Sequence, residues 1–509
     1  MTAAAQGLKG IPPSLRLIAG LTLAFANFMV ILDLTIANVS IPHIAASLGV
    51  SLEQGAWVIT SYAIAEAICV PLTGWIALRF GSVRTFLFSM AGFGVFSLLC
   101  GLSVSIEMLV ICRIGQGVFG AFLMPMSQTL LLRVFPPEQQ NIGMGMWAMT
   151  LLLGPALGPI FGGWLTDNWS WHWIFLINVP IVVLAMFGGA ILLRPIETDR
   201  RIIPIDYVGL ILLVIWVGCL QIILDIGRNH DWFGDPLIVV LAVTSAIAFL
   251  IFVIWELTED NPMVDLRVLR NRGLSVSLVV LAISFGGYFA GFVIVPQWQQ
   301  AWLGFTATQA GYSSSFSAIA ALLTAPLVVL LMPRFDPRLL VSAGIVWLAV
   351  FGLMRTLWTT DSDFWTLSMP QFVMGLGMTF LMLPIMTLTL NTVEEHEVAS
   401  AAGLQSFMRT IATAFATSIS LTYWGDTQRA TRNDIVAVLE PGSAEGAISR
   451  LGFSPEAALQ TLSNMVEVEA TTLAVIHVFW TTSTILLVAA ALIWLAPRPK
   501  RQGGVSIGH

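Results

Sequence analysis

Four ionisable side chains lie inside long apolar stretches of this sequence. They are Asp33, Glu66, Arg113 and Arg409. A charged side chain costs several kcal/mol at the centre of a bilayer, so each of these residues predicts a functional site if its stretch spans a membrane. Burial favours the neutral form of a carboxylate and a nearby cation favours the charged form. A carboxylate balanced between the two can bind and release a proton.

Asp33 and Glu66 are expected at different depths in the membrane, as their positions along the apolar stretches indicate. At about 1.5 Å per residue, Asp33 and Arg113 lie at similar depths, so the two can form a buried ion pair. For this pair a gating role and a static role in helix packing are open alternatives. Glu66 and Arg409 lie near the midplane, and Glu66 shares its helix face with Tyr62 rather than with a cation. Asp33, Glu66 and Arg113 are all candidates for proton coupling. Glu66 is the better candidate for the proton carrier, and a hydrogen-bonded core carboxylate is its alternative.

A run of glycines and prolines lies inside another apolar stretch. Its members are Gly154, Pro155, Gly158, Pro159, Gly162 and Gly163. Glycines at intervals of four form a ridge of small residues that lets a second helix approach closely. The prolines remove backbone donors and bend a helix. We predict that this run is a kink and a sliding surface between two conformations.

The composition shows that lipid is the solvent for most of the chain. Of 509 residues, 57% are hydrophobic and 10% are charged, whereas a soluble protein is about a quarter charged. The net charge of −6 argues against a nucleic-acid partner, which requires a basic surface. The four cysteines lie in apolar runs without paired spacing, and the six histidines form no metal-ligand cluster.

The apolar runs predict an all-α, multi-pass membrane protein. A span needs about 20 apolar residues, and continuous rather than alternating apolar runs indicate helices. We predict about fourteen spans, at 16–38, 56–77, 85–104, 107–132, 142–165, 173–193, 207–225, 237–256, 275–296, 308–332, 339–358, 367–391, 399–423 and 473–496.

The Lys and Arg residues predict the orientation. If the first span starts inside, sixteen of them lie on the cytoplasmic side and five on the opposite side. The five are Arg228, Arg355, Arg429, Arg432 and Arg450. Cytoplasmic loops are enriched in basic residues, so we expect both termini to be cytoplasmic.

Two further features bear on the organisation of the chain. Arg113, Gly117 and the Phe-Leu-Met at 122–124 recur in type and spacing as Gln371, Gly375 and the Phe-Leu-Met at 380–382. Parallel repeats of this kind build two-lobed transporters.

Residues 425–470 form the one long outer segment. It is predicted to be a loop with an amphipathic helix within 451–469, and its role as a partner-docking surface or a plain connector is open.

Several of these motifs resemble the major facilitator superfamily. They are Leu32–Val39, Arg113–Gly117 and the glycine and proline run. Within the superfamily the chain is similar to the fourteen-helix drug:proton antiporter branch, in particular the EmrB type. Trp57–Ser61, Pro71–Trp75, Trp173–Pro180 and Trp255–Pro262 carry that closer likeness.

The resemblance implies two six-helix lobes, residues 1–200 and 266–509, with two extra helices within 201–265. It implies proton-driven export of amphipathic compounds, with the glycine and proline run as the antiporter motif and with Arg113 and Asp33 in proton coupling. No cofactor is expected beyond the proton gradient. A periplasmic adaptor protein and an outer-membrane channel are the expected partners, which would place the chain in a bacterial inner membrane. Candidate residues of the substrate cavity are Asn38, Tyr62, Gln116 and Arg409.

One loop departs from the superfamily pattern. Leu78 stands where an acidic residue is expected, and Ser82 and Val83 stand where basic residues are expected. The salt bridge that this loop usually makes is therefore in doubt.

Other functions are less well supported by the sequence. A dedicated exporter of one metabolite, fatty acid or siderophore is the main alternative. A membrane-embedded transferase would need a cluster of catalytic or metal-binding residues at a membrane face, and the sequence offers none. The phosphate-binding motif of an ATP-driven pump is absent.

Overall fold

All regular elements in the described part of the chain are helices. The computed structural model describes residues 11–200, 204–390, 392–394, 397–438 and 454–497. The first lobe contains α1 (Pro13–Leu48), α2 (Leu52–Cys69), α3 (Thr73–Phe80), α4 (Ser82–Gly101), α5 (Ile106–Val134), α6 (Gln140–Asn168), α7 (Trp173–Leu176) and α8 (Asn178–Leu192). Two inserted helices follow, α9 (Tyr207–Ile226) and α10 (Pro236–Thr258). The second lobe contains α11 (Arg272–Trp302), α12 (Ala307–Leu331), α13 (Pro337–Gly352), α14 (Phe364–Leu390), α15 (Val398–Val438) and α16 (Pro455–Leu492).

Most of these helices are long and apolar enough to cross a membrane. Twelve segments of the described chain meet that requirement by length and composition. Two other long helices, α6 and α15, occupy the positions of the fifth and thirteenth predicted spans. The all-helical membrane fold is confirmed, and the count of fourteen spans stays a prediction for these two. The lobe boundaries at residues 200 and 265 also stay predictions.

The second predicted span contains a short 3-10 turn within one apolar stretch, Trp57–Phe80. Helix α2 ends at Cys69, a single 3-10 turn covers Val70–Leu72, and α3 then begins at Thr73. Pro71 lies in this turn and has no backbone N–H to donate, so the helical hydrogen-bond ladder is interrupted here.

The predicted outer loop at 425–470 is largely helical. Helix α15 runs on to Val438, because its last turns contain neither proline nor glycine after Gly425. Helix α16 begins at Pro455, where the Ser454 side chain accepts a hydrogen bond from the Ala457 N–H. The helix predicted within 451–469 is therefore the start of a 38-residue helix. Residues 439–453 lie outside the described part of the chain.

The internal repeat has a structural counterpart. A Cβ atom added at Gly117 of α5 would lie 2.6 Å from the Tyr62 carbonyl oxygen of α2. One added at Gly375 of α14 would lie 2.1 Å from the Ser317 carbonyl oxygen of α12. In each lobe the fourth span thus contacts the backbone of the second span through a glycine at the repeated position.

The two lobes contact each other at the end of the bundle that carries Arg79. A Cβ added at Gly74 would lie 2.1 Å from the Ser400 hydroxyl oxygen, and one added at Gly403 would lie 3.0 Å from the Thr73 Cβ. Helix α9 contacts α15 farther along, where the Ser418 hydroxyl donates to the Leu224 carbonyl at 2.7 Å.

Candidate proton site and lobe interface

Asp33 and Arg113 form a buried ion pair inside the first lobe. The Arg113 Nη1 donates to Asp33 Oδ2 at 2.6 Å. Its Nε donates to the Val58 carbonyl at 2.9 Å, which ties α5 to α2. Asp33 is 1% exposed and Arg113 is fully buried. The pairing predicted from helix depth is confirmed.

Three neutral side chains complete the hydrogen bonding of this pair. Gln116 donates to Asp33 Oδ1 at 3.1 Å and accepts from Arg113 at 2.8 Å. Asn178 of α8 donates to the same Asp33 oxygen at 2.7 Å, and to the Ser97 hydroxyl at 3.0 Å. The carboxylate therefore accepts hydrogen bonds from three side chains on two helices. We call Asp33, Ser97, Arg113, Gln116 and Asn178 the Asp33 network.

The Asp33 network differs from the sequence analysis in its membership. Gln116 was expected to line the substrate cavity, and the structure places it among buried residues of the first lobe. Ser97 and Asn178 were not singled out. Asn178 could have been found as an amide within the sixth apolar run, whereas a lone serine such as Ser97 gives no comparable signal.

Tyr62 connects the Asp33 network to Glu66. The Arg113 guanidinium carbon lies 4.3 Å from the centre of the Tyr62 ring, within the range of a cation–π interaction. Tyr62 is fully buried, and its hydroxyl has no hydrogen-bond partner in the described structure. Glu66 follows one helical turn later on α2. The side chain of Asn38, the remaining cavity candidate on α1, lies outside the described residues.

Glu66 is buried near the opposite lobe. It is 5% exposed and lies within electrostatic range of Arg409 of α15, although no salt bridge joins the two in the described structure. The Arg409 Nη2 lies 2.7 Å from the Met124 sulfur of α5, and its guanidinium carbon is 5.7 Å from the Phe285 ring centre. An opposite charge is thus available to Glu66 from another helix, although no basic residue on its own helix indicated one.

A neutral hydrogen bond joins the lobes near this pair. The Gln128 side chain of α5 donates to the Gln405 amide oxygen of α15 at 2.8 Å. Both glutamines are buried. The interface between α2 and α5 on one side and α15 on the other therefore holds two opposite charges, Glu66 and Arg409, and one hydrogen-bonded pair of amides.

The glycine ridge of α6 packs against α1 of the same lobe. A Cβ added at Gly154 would lie 2.3 Å from Ile31 Cγ2, and one added at Gly158 would lie 2.1 Å from the Thr35 hydroxyl oxygen. At Gly162 the nearest atom is the Ile36 carbonyl oxygen, at 3.1 Å. The predicted close helix approach is confirmed.

The remaining members of the run differ from the ridge. A Cβ added at Gly163 would meet nothing within 4 Å, so this glycine does not belong to the packed ridge. The side chains of Pro155 and Pro159 lie outside the described residues. The role of the run in conformational change stays a prediction.

The loop that departs from the superfamily pattern is held by a residue far along the chain. Glu197 accepts hydrogen bonds from the backbone N–H groups of Val83 and Arg84, at 2.9 and 3.1 Å. These N–H groups belong to the first turn of α4, where an acidic side chain is favourable. Gly81, just before that turn, has a φ of +90°, which strongly favours glycine.

Comparison with known proteins decides the family. The family model described as the Major Facilitator Superfamily matches residues 23–417. The chain belongs to this superfamily. It is 37% identical over 505 residues to the multidrug export protein EmrB of Escherichia coli strain K12, covering 98% of this chain and 99% of that protein.

Other relatives carry related names. The fatty acid resistance protein FarB of Neisseria gonorrhoeae is 35% identical, covering 95% of this chain and 96% of that protein. Among solved structures, the proton:xylose symporter XylE superposes with a TM-score of 0.59 at 13% identity, covering 96% of this chain and 97% of that one. The fold is that of the superfamily, and the chain is a multidrug efflux transporter of the EmrB type.

Proposed function

We propose that this transporter exchanges protons for lipophilic or amphipathic compounds, and that Glu66 carries the proton. The observation that supports this most strongly is the position of Glu66, a buried carboxylate of the first lobe that lies within electrostatic range of Arg409 of the second. Attraction between opposite charges is strong in a medium of low dielectric constant. Ionised Glu66 therefore favours contact between the lobes, and protonated Glu66 weakens it.

The Asp33 network supports a different role for the other carboxylate. Asp33 accepts hydrogen bonds from Arg113, Gln116 and Asn178. These bonds hold its carboxylate in one orientation between α5 and α8. We assign Asp33 and Arg113 to positioning α1, α5 and α8, which also holds Tyr62 beside Glu66.

The proposed substrate class rests on the aromatic side chains at the lobe interface and on the names of the relatives. Phe285 lies beside Arg409, and Phe407 packs edge-on against Trp216 at 5.8 Å. Aromatic and methionine side chains adapt to varied apolar ligands. The names of the relatives include multidrug export and fatty acid resistance. Export of a single endogenous compound stays the second candidate.

The outer helical ends are the proposed docking site for an adaptor protein. Arg432 pairs with Glu467 at 3.0 Å, and Gln428 donates to the same carboxylate at 2.6 Å, so α15 and α16 project together. Val436, Leu459 and Met465 are 48%, 50% and 61% exposed there. A partly apolar, partly charged surface of this kind suits a protein interface.

We further propose that the protein lies in the inner membrane with both termini in the cytoplasm. The support is the uneven distribution of Lys and Arg residues between the two sides of the membrane.

Transport by reconstituted protein tests the role of Glu66. Glu66→Gln keeps the size and hydrogen-bonding capacity of the side chain but removes its titration. We expect this variant to bind tetraphenylphosphonium and to lose accumulation driven by a pH gradient in proteoliposomes. Glu256→Gln is the matched control, since Glu256 is also a buried carboxylate but lies on the inserted helix α10. Undiminished transport by Glu66→Gln would exclude the assignment.

A further inference from the structure

The second lobe contains a buried arginine without a carboxylate partner among the described residues. Arg355 lies in the 3-10 turn Leu353–Leu357 that follows α13, and it is 4% exposed. The sequence analysis counted it among the basic residues of the outer side, and the structure adds that its side chain is buried in the helix bundle. An uncompensated buried charge is strongly destabilising, so this arginine calls for a counter-charge.

The surroundings of Arg355 are soft and apolar. Its Nη2 lies 2.5 Å from the Met374 sulfur, and its guanidinium carbon lies 5.1 Å from the centre of the Phe479 ring. A Cβ added at Gly291 of α11 would lie 2.4 Å from its Nη1. Its Nε has no hydrogen-bond partner in the described structure. At least one strong donor is therefore unused.

The internal repeat identifies the residues of the first lobe that are equivalent to Arg355 and its neighbours. Through its first five spans the second lobe follows the first at a spacing of 258 residues, as Gly375 follows Gly117. By that spacing Gly291 corresponds to Asp33, Met374 to Gln116 and Arg355 to Ser97, and these are three of the five positions of the Asp33 network. The counterpart of Arg113 is Gln371. The second lobe thus keeps a cation at the equivalent place, while glycine and methionine replace the carboxylate and the amide.

An aromatic row leads from Arg355 toward the lobe interface. Tyr288, one turn before Gly291 on α11, lies 6.4 Å from Phe292 between ring centres. Phe292 lies 5.4 Å from Phe289, which stacks on Phe285 at 4.6 Å. Phe285 is the ring beside Arg409. The row therefore joins the surroundings of Arg355 to the lobe interface with apolar rings.

We propose that Arg355 receives the single negative charge of an amphipathic monocarboxylate whose apolar tail lies along the aromatic row of α11. The ligand carboxylate supplies the counter-charge that Asp33 supplies in the first lobe, through charge-assisted hydrogen bonds from the guanidinium. This inference rests on the proposed function and specifies one substrate class. Binding of lipophilic cations and of neutral compounds should not depend on Arg355.

Binding of laurate, compared with dodecanol, tests the proposal on the purified full-length chain. Charge-assisted hydrogen bonds contribute about 1.5–3 kcal/mol, so we expect laurate to bind at least about tenfold more tightly than dodecanol. Arg355→Met should remove this preference, and Arg355→Lys should keep much of it. Competition against radiolabelled laurate measures all three proteins.

A second pair of variants separates the ligand site from a purely structural role. Gly291→Asp places a carboxylate against Nη1, the far end of a flexible side chain that can shift, so the lobe gains an internal ion pair and should fold. We expect Gly291→Asp to lose the preference for laurate, and the neutral Gly291→Asn to retain it. Tetraphenylphosphonium transport should persist in both, which separates failure of this site from failure of the proposed function. Equal binding of laurate and dodecanol by the wild type, or unchanged laurate binding by Arg355→Met and Gly291→Asp, would overturn the proposal.

Discussion

At the scale of single residues, two buried carboxylates in one lobe differ in how many partners satisfy them. Asp33 accepts three side-chain hydrogen bonds. No hydrogen bond to Glu66 is seen in the described structure, and Glu66 lies within electrostatic range of Arg409 on the opposite lobe. The first arrangement stabilises one geometry, and the second responds to the separation of the lobes. Substitutions at the two sites should therefore have different effects.

Removing the Asp33 charge should damage stability more than coupling. Asp33→Ala leaves Arg113 buried without its carboxylate, a change that costs about 3–5 kcal/mol in comparable buried pairs. We expect a clear fall in thermal unfolding temperature in detergent and a low yield of folded protein. Glu66→Gln, measured alongside, should unfold near the wild-type temperature. If Asp33→Ala were as stable as the wild type, the Asp33 network would have no positioning role.

The sequence indicated which opposite charges lie at the same depth in the membrane. It did not indicate the surroundings of Glu66 and Arg355. Asp33 and Arg113 were predicted to pair because 1.5 Å per residue places both at one level. The proximity of Arg409 to Glu66 was missed because Arg409 comes from a helix more than 300 residues later, and helix depth alone does not say which helices meet. The burial of Arg355 was not predicted, because a residue at the end of a span can point either outward or back into the bundle.

At the scale of helices, the ridge of α6 is the contact most sensitive to side-chain size. Gly158→Leu would insert a side chain where even a Cβ lies 2.1 Å from Thr35, so α1 and α6 would have to separate. We expect membrane insertion without transport. Gly163→Leu is the matched control in the same run, since nothing lies within 4 Å of its Cβ, and it should transport normally. Equal transport by both variants would show that close packing of α6 is not needed.

Apolar length predicted most helices of the bundle, and local changes of helix type were harder to predict. Pro71 removes one backbone donor in the middle of an otherwise apolar run, and hydropathy gives no sign of the 3-10 turn there. The outer segment 425–470 was expected to be a loop because it is polar. Polarity reports exposure to water rather than loss of helix, and here the exposed helices support each other through Glu467.

At the scale of the whole molecule, the paired ends of α15 and α16 extend the second lobe beyond the apolar bundle. Replacing Val436, Leu459 and Met465 with serine keeps both helices and removes exposed apolar surface. We expect transport in proteoliposomes to be unchanged, while co-purification with an adaptor protein and resistance of intact cells are lost. Substitution of the exposed Leu357, which is outside this surface, is the control. Unaltered adaptor binding would make the projection a plain connector.

The two lobes and the charges between them give the central claim its most direct test. Purified protein in a weakly buffered detergent solution is mixed with tetraphenylphosphonium, and the released protons are measured with a pH indicator. If Glu66 carries the exchanged proton, the wild type and Glu256→Gln release protons on substrate binding, and Glu66→Gln binds the same substrate without release. Proton release by Glu66→Gln equal to that of the wild type would contradict the account.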